Sequence, residues 1–197
     1  MEFNSAIVNR RTIYGISKES PVSDERLDDI VNQAVKYSPT AFNSQGGRAV
    51  LLLGAQHDRL WDIVMAALKK LVLSGDFSQT ENKINSFKNG HGTVLFFEDE
   101  KVVKSLQDSY PLYKEMFPVW SQNSAGMLQY VTWVSLEAEG LGASLQHYNP
   151  LIDEELRKTW NLPESWKLTG QMPFGKPTAP AGDKDFQPLE ARVKVFK

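Results

Sequence analysis

The stretch "SPTAFNSQGGRAVLLLG", Ser38 to Gly54, joins a polar loop to a short, β-rich apolar run. The loop occupies Ser38 to Arg48, eleven residues, where a helix-to-strand connection normally needs about four to six. Its surplus is polar: Ser38, Thr40, Asn43, Ser44 and Gln45, followed by the pair Gly46-Gly47. Two readings stay open. Ser and Asn can bond their own backbone as turn residues. Asn and Gln carboxamides can also satisfy the edge of a ring that both donates and accepts.

Working outward, "RAVLLLG" reads as a buried strand closed by Gly54. Before the loop, Leu27, Ile30, Val31, Ala34 and Val35 make a helical stripe, opened by Ser23 as N-cap and stopped by Pro39. Earlier still, "EFNSAIVNRR" places Phe3 and Ile7 on one helical face. After the strand, "HDRLWDIVMAALKKLVL" is an amphipathic helix, and "FSQTENKINSFKNG" is a more polar one ending at Asn89-Gly90. "GTVLFFED" is a second strand, and a short helix follows over "KVVKSLQDS". The longest helix, "VWSQNSAGMLQYVTWVSLEAEGLG", is apolar around much of its circumference, which suits a central or interfacial position. "ASLQHY" reads as a strand, "DEELRKTWNL" as a helix and "WKLTGQMPFG" as a strand. "ARVKVF" alternates like a strand beyond a proline-rich linker, and can pair with its own sheet or a partner's. The order predicts an α+β sandwich with a mixed central sheet flanked by helices.

Composition bounds the function. The 197 residues suit a single domain spanning 1–197, with 41% hydrophobic and 23% charged residues. A net charge of -2 gives no electrostatic case for nucleic acid or an anionic membrane. With no cysteine, disulfides, thiolate metal sites and cysteine nucleophiles are excluded. The first residues carry no apolar signal region and no run reaches membrane-spanning length, so the expectation is cytoplasmic.

Several stretches can carry chemistry. "NRRT" (Asn9 to Thr12) offers two guanidinium forks and a hydroxyl, a set able to grip phosphate, or else a solvated basic helix end. "EGLGASLQHYNP" brings Gln146, His147 and Tyr148 to the end of a strand. No second histidine or carboxylate stands at ligand spacing from His147, so a metal is not expected. His57 and His91 read as exposed. Lys176 and Lys184 lie in loops where either can neutralise an anion. G-x-S-x-G, the phosphate-binding G-x-x-x-x-G-K-[ST] and G-x-G-x-x-G are all absent.

Taken together, "RRTIYGI", "SPTAFNSQGGR", "GTVLFFED", "GLGASLQHYNPLID" and "DFQPLEARVKVF" resemble the nitroreductase superfamily. The likeness is closest to its small-chain, fatty-acid-repression-mutant-like members from fungi and lactic-acid bacteria. It runs over essentially the whole chain. The resemblance implies a homodimer with an exchanged C-terminal strand and FMN at the interface, two sites per dimer. It implies that Arg10 and Thr12 hold the FMN phosphate and ribityl chain, with Arg11 beside them and Lys184 near the phosphate. It implies that Pro39, Thr40, Ala41 and Asn43 reach from the other subunit to the ring edge, and that Leu145, Gln146 and His147 line the ring's opposite side. A backbone N–H there would bond the flavin's reactive nitrogen. Phe117, Trp120 and Tyr148 are candidates for an aromatic substrate rim, with core or dimer packing as the competing role. Two departures stand out. Gly46-Gly47 replaces the Pro-Trp of many relatives, and His147 replaces a common acidic residue. The implied activity is ping-pong reduction of nitroaromatics, quinones or similar acceptors by NADH or NADPH, with the cofactor carrying the chemistry. Against it stand a flavin-binding redox or stress regulator with incidental turnover, and a flavin-free domain that dimerises through the long helix.

Overall fold

The computed structural model describes residues 2–71 and 75–197. Helix α1 (Phe3–Asn9) ends at the double arginine, and a two-residue strand β1 (Ile16–Ser17) follows. Helix α2 (Asp24–Tyr37) starts where expected, because the Ser23 hydroxyl accepts the Arg26 amide and Asp24 and Glu25 sit in the first turn. Its stripe of Leu27, Ile30, Val31 and Ala34 is buried. Strand β2 (Gly47–Leu53) leads into α3 (Gly54–Leu71), whose first residue, Gly54, has φ +52°. A side chain there would strain the backbone, so glycine makes the strand-to-helix corner. Val72 and Leu73, expected to finish this helix, lie outside the described residues.

Helix α4 (Ser78–Lys88), strand β3 (Gly92–Asp99), helix α5 (Glu100–Ser109) and the long α6 (Phe117–Ala138) follow. Then come β4 (Gly142–Ala143), α7 (Asp153–Trp160) and β5 (Trp166–Pro177). The sheet runs β1-β5-β3-β2, with β4 on β5, and every strand pair is antiparallel. The sheet is thus antiparallel where a mixed one was expected; a parallel bridge among the described residues, Thr12 to Ala143, is isolated and outside the named strands.

The sheet separates two cores. On one face Leu27, Ile30, Val94, Phe96, Leu128 and Met172 pack α2 and α6 against the strands. On the other, Leu60, Trp61, Phe87, Leu95 and Leu156 pack α3, α4 and α7. The second core holds a buried polar network. The Trp61 indole N–H donates to Thr93 Oγ1 at 3.0 Å, and His57 Nδ1 lies 2.9 Å from the same hydroxyl. His57 Nε2 lies 3.2 Å from the Lys88 carbonyl. A neutral imidazole protonated at Nε2 satisfies all three contacts, since the Thr93 hydroxyl can then accept from Trp61 and donate to Nδ1. The expectation that His57 is exposed is therefore corrected: it is 1% exposed, and burial pushes its pKa down to about 4.

Two strand expectations also change. "ASLQHY" forms strand pairing only at Ala143 and an isolated bridge from Gln146 to Gln171. "ARVKVF" forms no strand; a short 3-10 turn at Leu189–Ala191 precedes it, and Val193, Val195 and Phe196 are exposed. An alternating pattern needs an open edge to pair with, and this segment meets none within its own chain.

Candidate functional site

The residues singled out from the sequence fall into two groups by opposite ends of α6. Near its C-terminal end, the Arg10 guanidinium lies 4.4 Å over the Trp133 ring. Its Nε is buried with no hydrogen-bond partner among the described residues. Arg11 Nη2 donates to the Asp183 carbonyl at 3.4 Å, which brings the "GDKDF" loop and Lys184 beside the arginines. Glu137, also close to Arg10, has its carboxyl pKa raised by burial, an effect the Arg10 charge opposes. The parallel bridge from Thr12, with the Ile13 amide bonded to the Ala143 carbonyl, sets this cationic cluster against the start of the 143–149 segment.

That segment runs along β5 as an incomplete strand. Gln146 exchanges both backbone hydrogen bonds with Gln171, at 2.7 and 2.9 Å. Its side-chain amide is turned inward and donates to Ser144 Oγ at 3.1 Å. Extended backbone alternates direction, so the amides of Leu145 and His147 point away from β5. Neither finds a partner among the described residues. Of the three residues expected to line a ring, then, Gln146 is tied up internally, and Leu145 and His147 present their backbone outward. His147 is exposed, at the wall of a cleft of about 450 Å³ shared with Gln122, Gly126, Gln129 and Asn149.

The second group lies at the N-terminal end of α6. Phe42 packs on Tyr110, Phe117 and Trp120, stacking on the last at 6.0 Å between centroids. Trp120 precedes Trp133 by thirteen positions, so the Phe42 cluster and Arg10 stand about 20 Å apart along the helix axis, with His147 between them beside Gln122 and Gly126. The loop is tightly folded. Thr40 Oγ1 accepts the Gln45 amide, Gln45 Nε2 donates to the Asn43 carbonyl, and Arg48 donates to the carbonyls of Gln45 and Gly47. Arg48 also pairs with Asp99 at 3.0 Å, and the Asp99 amide bonds the Gly46 carbonyl. The turn reading of the loop holds for part of it. Thr40 and Gln45 are spent on turn chemistry, while Asn43 is exposed and its carboxamide has no partner among the described residues. Phe42, Asn43 and Gln45 all have positive φ, between 50° and 57°. Asn tolerates this region; Phe does so at a cost, and such strain concentrates at binding sites.

Under the loop lies Glu98, 6% exposed, at the wall of a cavity of about 10 Å³ shared with Thr40, Ser44, Gly46 and Ser121. That volume suits about one water. Burial raises the Glu98 carboxyl pKa. A Cβ on Gly46 would collide with Glu98 Oε1, which gives the glycine at this position its physical reason.

The aromatic rim divides. Phe117 is closed inside the cluster at 2% exposure, and Trp120 is half-buried. Tyr148 belongs to the other sheet face: its ring meets Trp61 edge-on at 6.0 Å, and burial pushes its pKa up to about 12. Its ring therefore takes part in packing. Phe42, Gln171, Glu98 and Trp133 were not singled out from the sequence. A lone glutamine inside the apolar run "KLTGQMPF" was the one signal available for Gln171.

Comparison with known proteins identifies the family. The nitroreductase family model matches residues 7–176, and the chain belongs to that family. It is 38% identical over 189 residues to the putative nitroreductase HBN1 of Saccharomyces cerevisiae, covering 95% of this chain and 93% of that one. The nitroreductase CinD of Lactococcus lactis, solved with nicotinic acid, superposes over 100% of both chains at TM-score 0.93 and 47% identity; it has also been solved with 4-nitrophenol. A putative nitroreductase from Desulfovibrio desulfuricans, solved with FMN, shares the fold at TM-score 0.70 over 100% of this chain and 99% of that one. At 20% identity it speaks for the fold alone.

Proposed function

We propose that this chain is an FMN-dependent oxidoreductase that passes two electrons from NADH or NADPH to nitroaromatics, quinones or similar acceptors. The observation that carries the reading is the juxtaposition of the cationic cluster and the outward amides. The buried, unpartnered Arg10 Nε sits beside a segment whose Leu145 and His147 N–H groups have no acceptor among the described residues. That donor set fits a phosphate at one end and a hydrogen-bond-accepting ring at the other. When bound, FMN supplies the hydride chemistry.

The protein's part is to hold and tune. Arg10, Arg11 and Lys184 bind the phosphate and favour a negatively charged ring by their summed field. Thr12 supplies a hydroxyl to the ribityl chain. The His147 amide donates to the ring's reactive nitrogen. Pro39, Thr40, Ala41 and Asn43 complete the ring edge from a second copy. In this dimer the exposed Phe186, Leu189, Val193, Val195 and Phe196 are buried as an arm on the partner. The complexes of CinD with nicotinic acid and 4-nitrophenol support a nicotinamide donor and nitroaromatic acceptors here.

An absorbance spectrum followed by anaerobic NADH or NADPH tests the proposal. A yellow protein that bleaches, then recovers its colour with 4-nitrophenol or a quinone, is the expected outcome. A yellow protein that neither nicotinamide bleaches would instead favour a flavin-binding regulator. A colourless protein that takes up no FMN would sink both.

A further inference from the structure

We propose that Gln171 is a positioning residue for the flavin site, and that it acts by continuing the β5 ladder with its side chain where the backbone ladder stops. The inference rests on the FMN reading above.

Gln171 is in β5 and wholly buried. Its backbone pairs with Gln146 on both sides. An ordinary strand would form its next pair two residues on, with the amide of Tyr148 bonding the β5 backbone. Here that amide donates to the Gln171 side-chain carbonyl, at 2.7 Å. The same carboxamide uses its NH₂ to donate to Asn149 Oδ1 at 3.3 Å. One residue thus anchors 146 through its main chain and 148 and 149 through its side chain. His147 is held between these anchors with its amide turned outward. A shift of this backbone would move that N–H with it, and hydrogen bonds weaken steeply with misalignment.

An apolar residue of the same size would fill the space but leave the Tyr148 N–H without an acceptor. An orphaned donor pulls the segment toward another partner or toward water. Fold and core volume would survive while the placement of the His147 amide would not. Gln171→Met tests this, with Asn149→Ala as the second variant, which removes one anchor at a half-buried position. The readouts are the rate of FMN release from the purified protein, followed by flavin fluorescence, and the midpoint potential of the bound flavin against a reference dye.

With circular dichroism unchanged, Q171M is expected to release FMN about tenfold faster and N149A about threefold faster. The midpoint is expected to move upward in both, because a donor at the reactive nitrogen favours the oxidised ring. Release at the parent rate with an unmoved midpoint would overturn the inference while leaving the FMN reading intact. Should Q171M fail to fold, N149A decides alone by the same two readouts. A parent protein that binds no FMN would overturn both.

Discussion

Glu98 and His57 are two buried titratable groups whose burial moves them in opposite directions, and each leaves a mark on stability. Burial raises the Glu98 carboxyl, with the Arg48 charge partly offsetting it. The folded state then holds a proton that the unfolded state has lost, so stability falls as pH rises above the ordinary value of 4.5. Glu98→Gln should therefore be more stable than the parent at pH 8, with the difference vanishing below about pH 4. Urea unfolding at both pH values checks this; equal midpoints at pH 8 would refute it. His57 works the other way. Its pKa falls from 6.5 to about 4, so the folded state lacks a proton that the unfolded state takes up. Its contribution is complete above pH 6.5 and is lost as pH drops toward 4, a change of roughly 3 kcal/mol. A His57→Gln variant should lose that slope while remaining folded at pH 7. Neither burial was legible in the sequence. His57 stands among Gln56, Asp58 and Arg59, and only its helical phase, three residues ahead of Leu60, turns it inward.

Elements with a strong period and a chemical start were legible. Helix α2 has both an apolar stripe and a Ser23 cap, and each is found, except that Val35 at the end of the stripe is exposed. Removing the hydroxyl with Ser23→Ala should cost about 1 kcal/mol, because the Arg26 amide loses its acceptor. Thermal unfolding would detect this, and a loss below about 0.3 kcal/mol would mean that water replaces the cap fully. Two segments read as strands pair otherwise within this chain. Alternation specifies which face a side chain takes, but not whether a neighbouring edge exists. At "LQHY" the Tyr148 amide meets a glutamine side chain, and "ARVKVF" pairs with no strand among the described residues. Of the proposed site, the approach of "NRRT" to the Lys184 loop was legible, since Arg11 bonds the Asp183 carbonyl. Its scaffold was not. Gln171 acts through residues distant in sequence, and Tyr148 is drawn to Trp61 on the far face of the sheet.

On the scale of the molecule, the C-terminal arm carries the exposed side chains of Phe186, Leu189, Val193, Val195 and Phe196. A chain ending at Asp185 is expected to run as a monomer by light scattering and to shed its FMN, since the arm's apolar surface would no longer cover a partner. A truncated chain that stays dimeric would remove the arm from the assembly. The proposed division of the site between two chains has a genetic consequence. In the proposed dimer, a defect at Arg10 and a defect at Asn43 fall in different halves of each site. Chains carrying Arg10→Ala and chains carrying Asn43→Ala are each expected to be impaired alone. Unfolded together and refolded as a mixture, they should form hybrids in which one site inherits both lesions and the other inherits neither. Roughly one site in four would then work again, a recovery that two inactive preparations show only when each lends the other what it lacks.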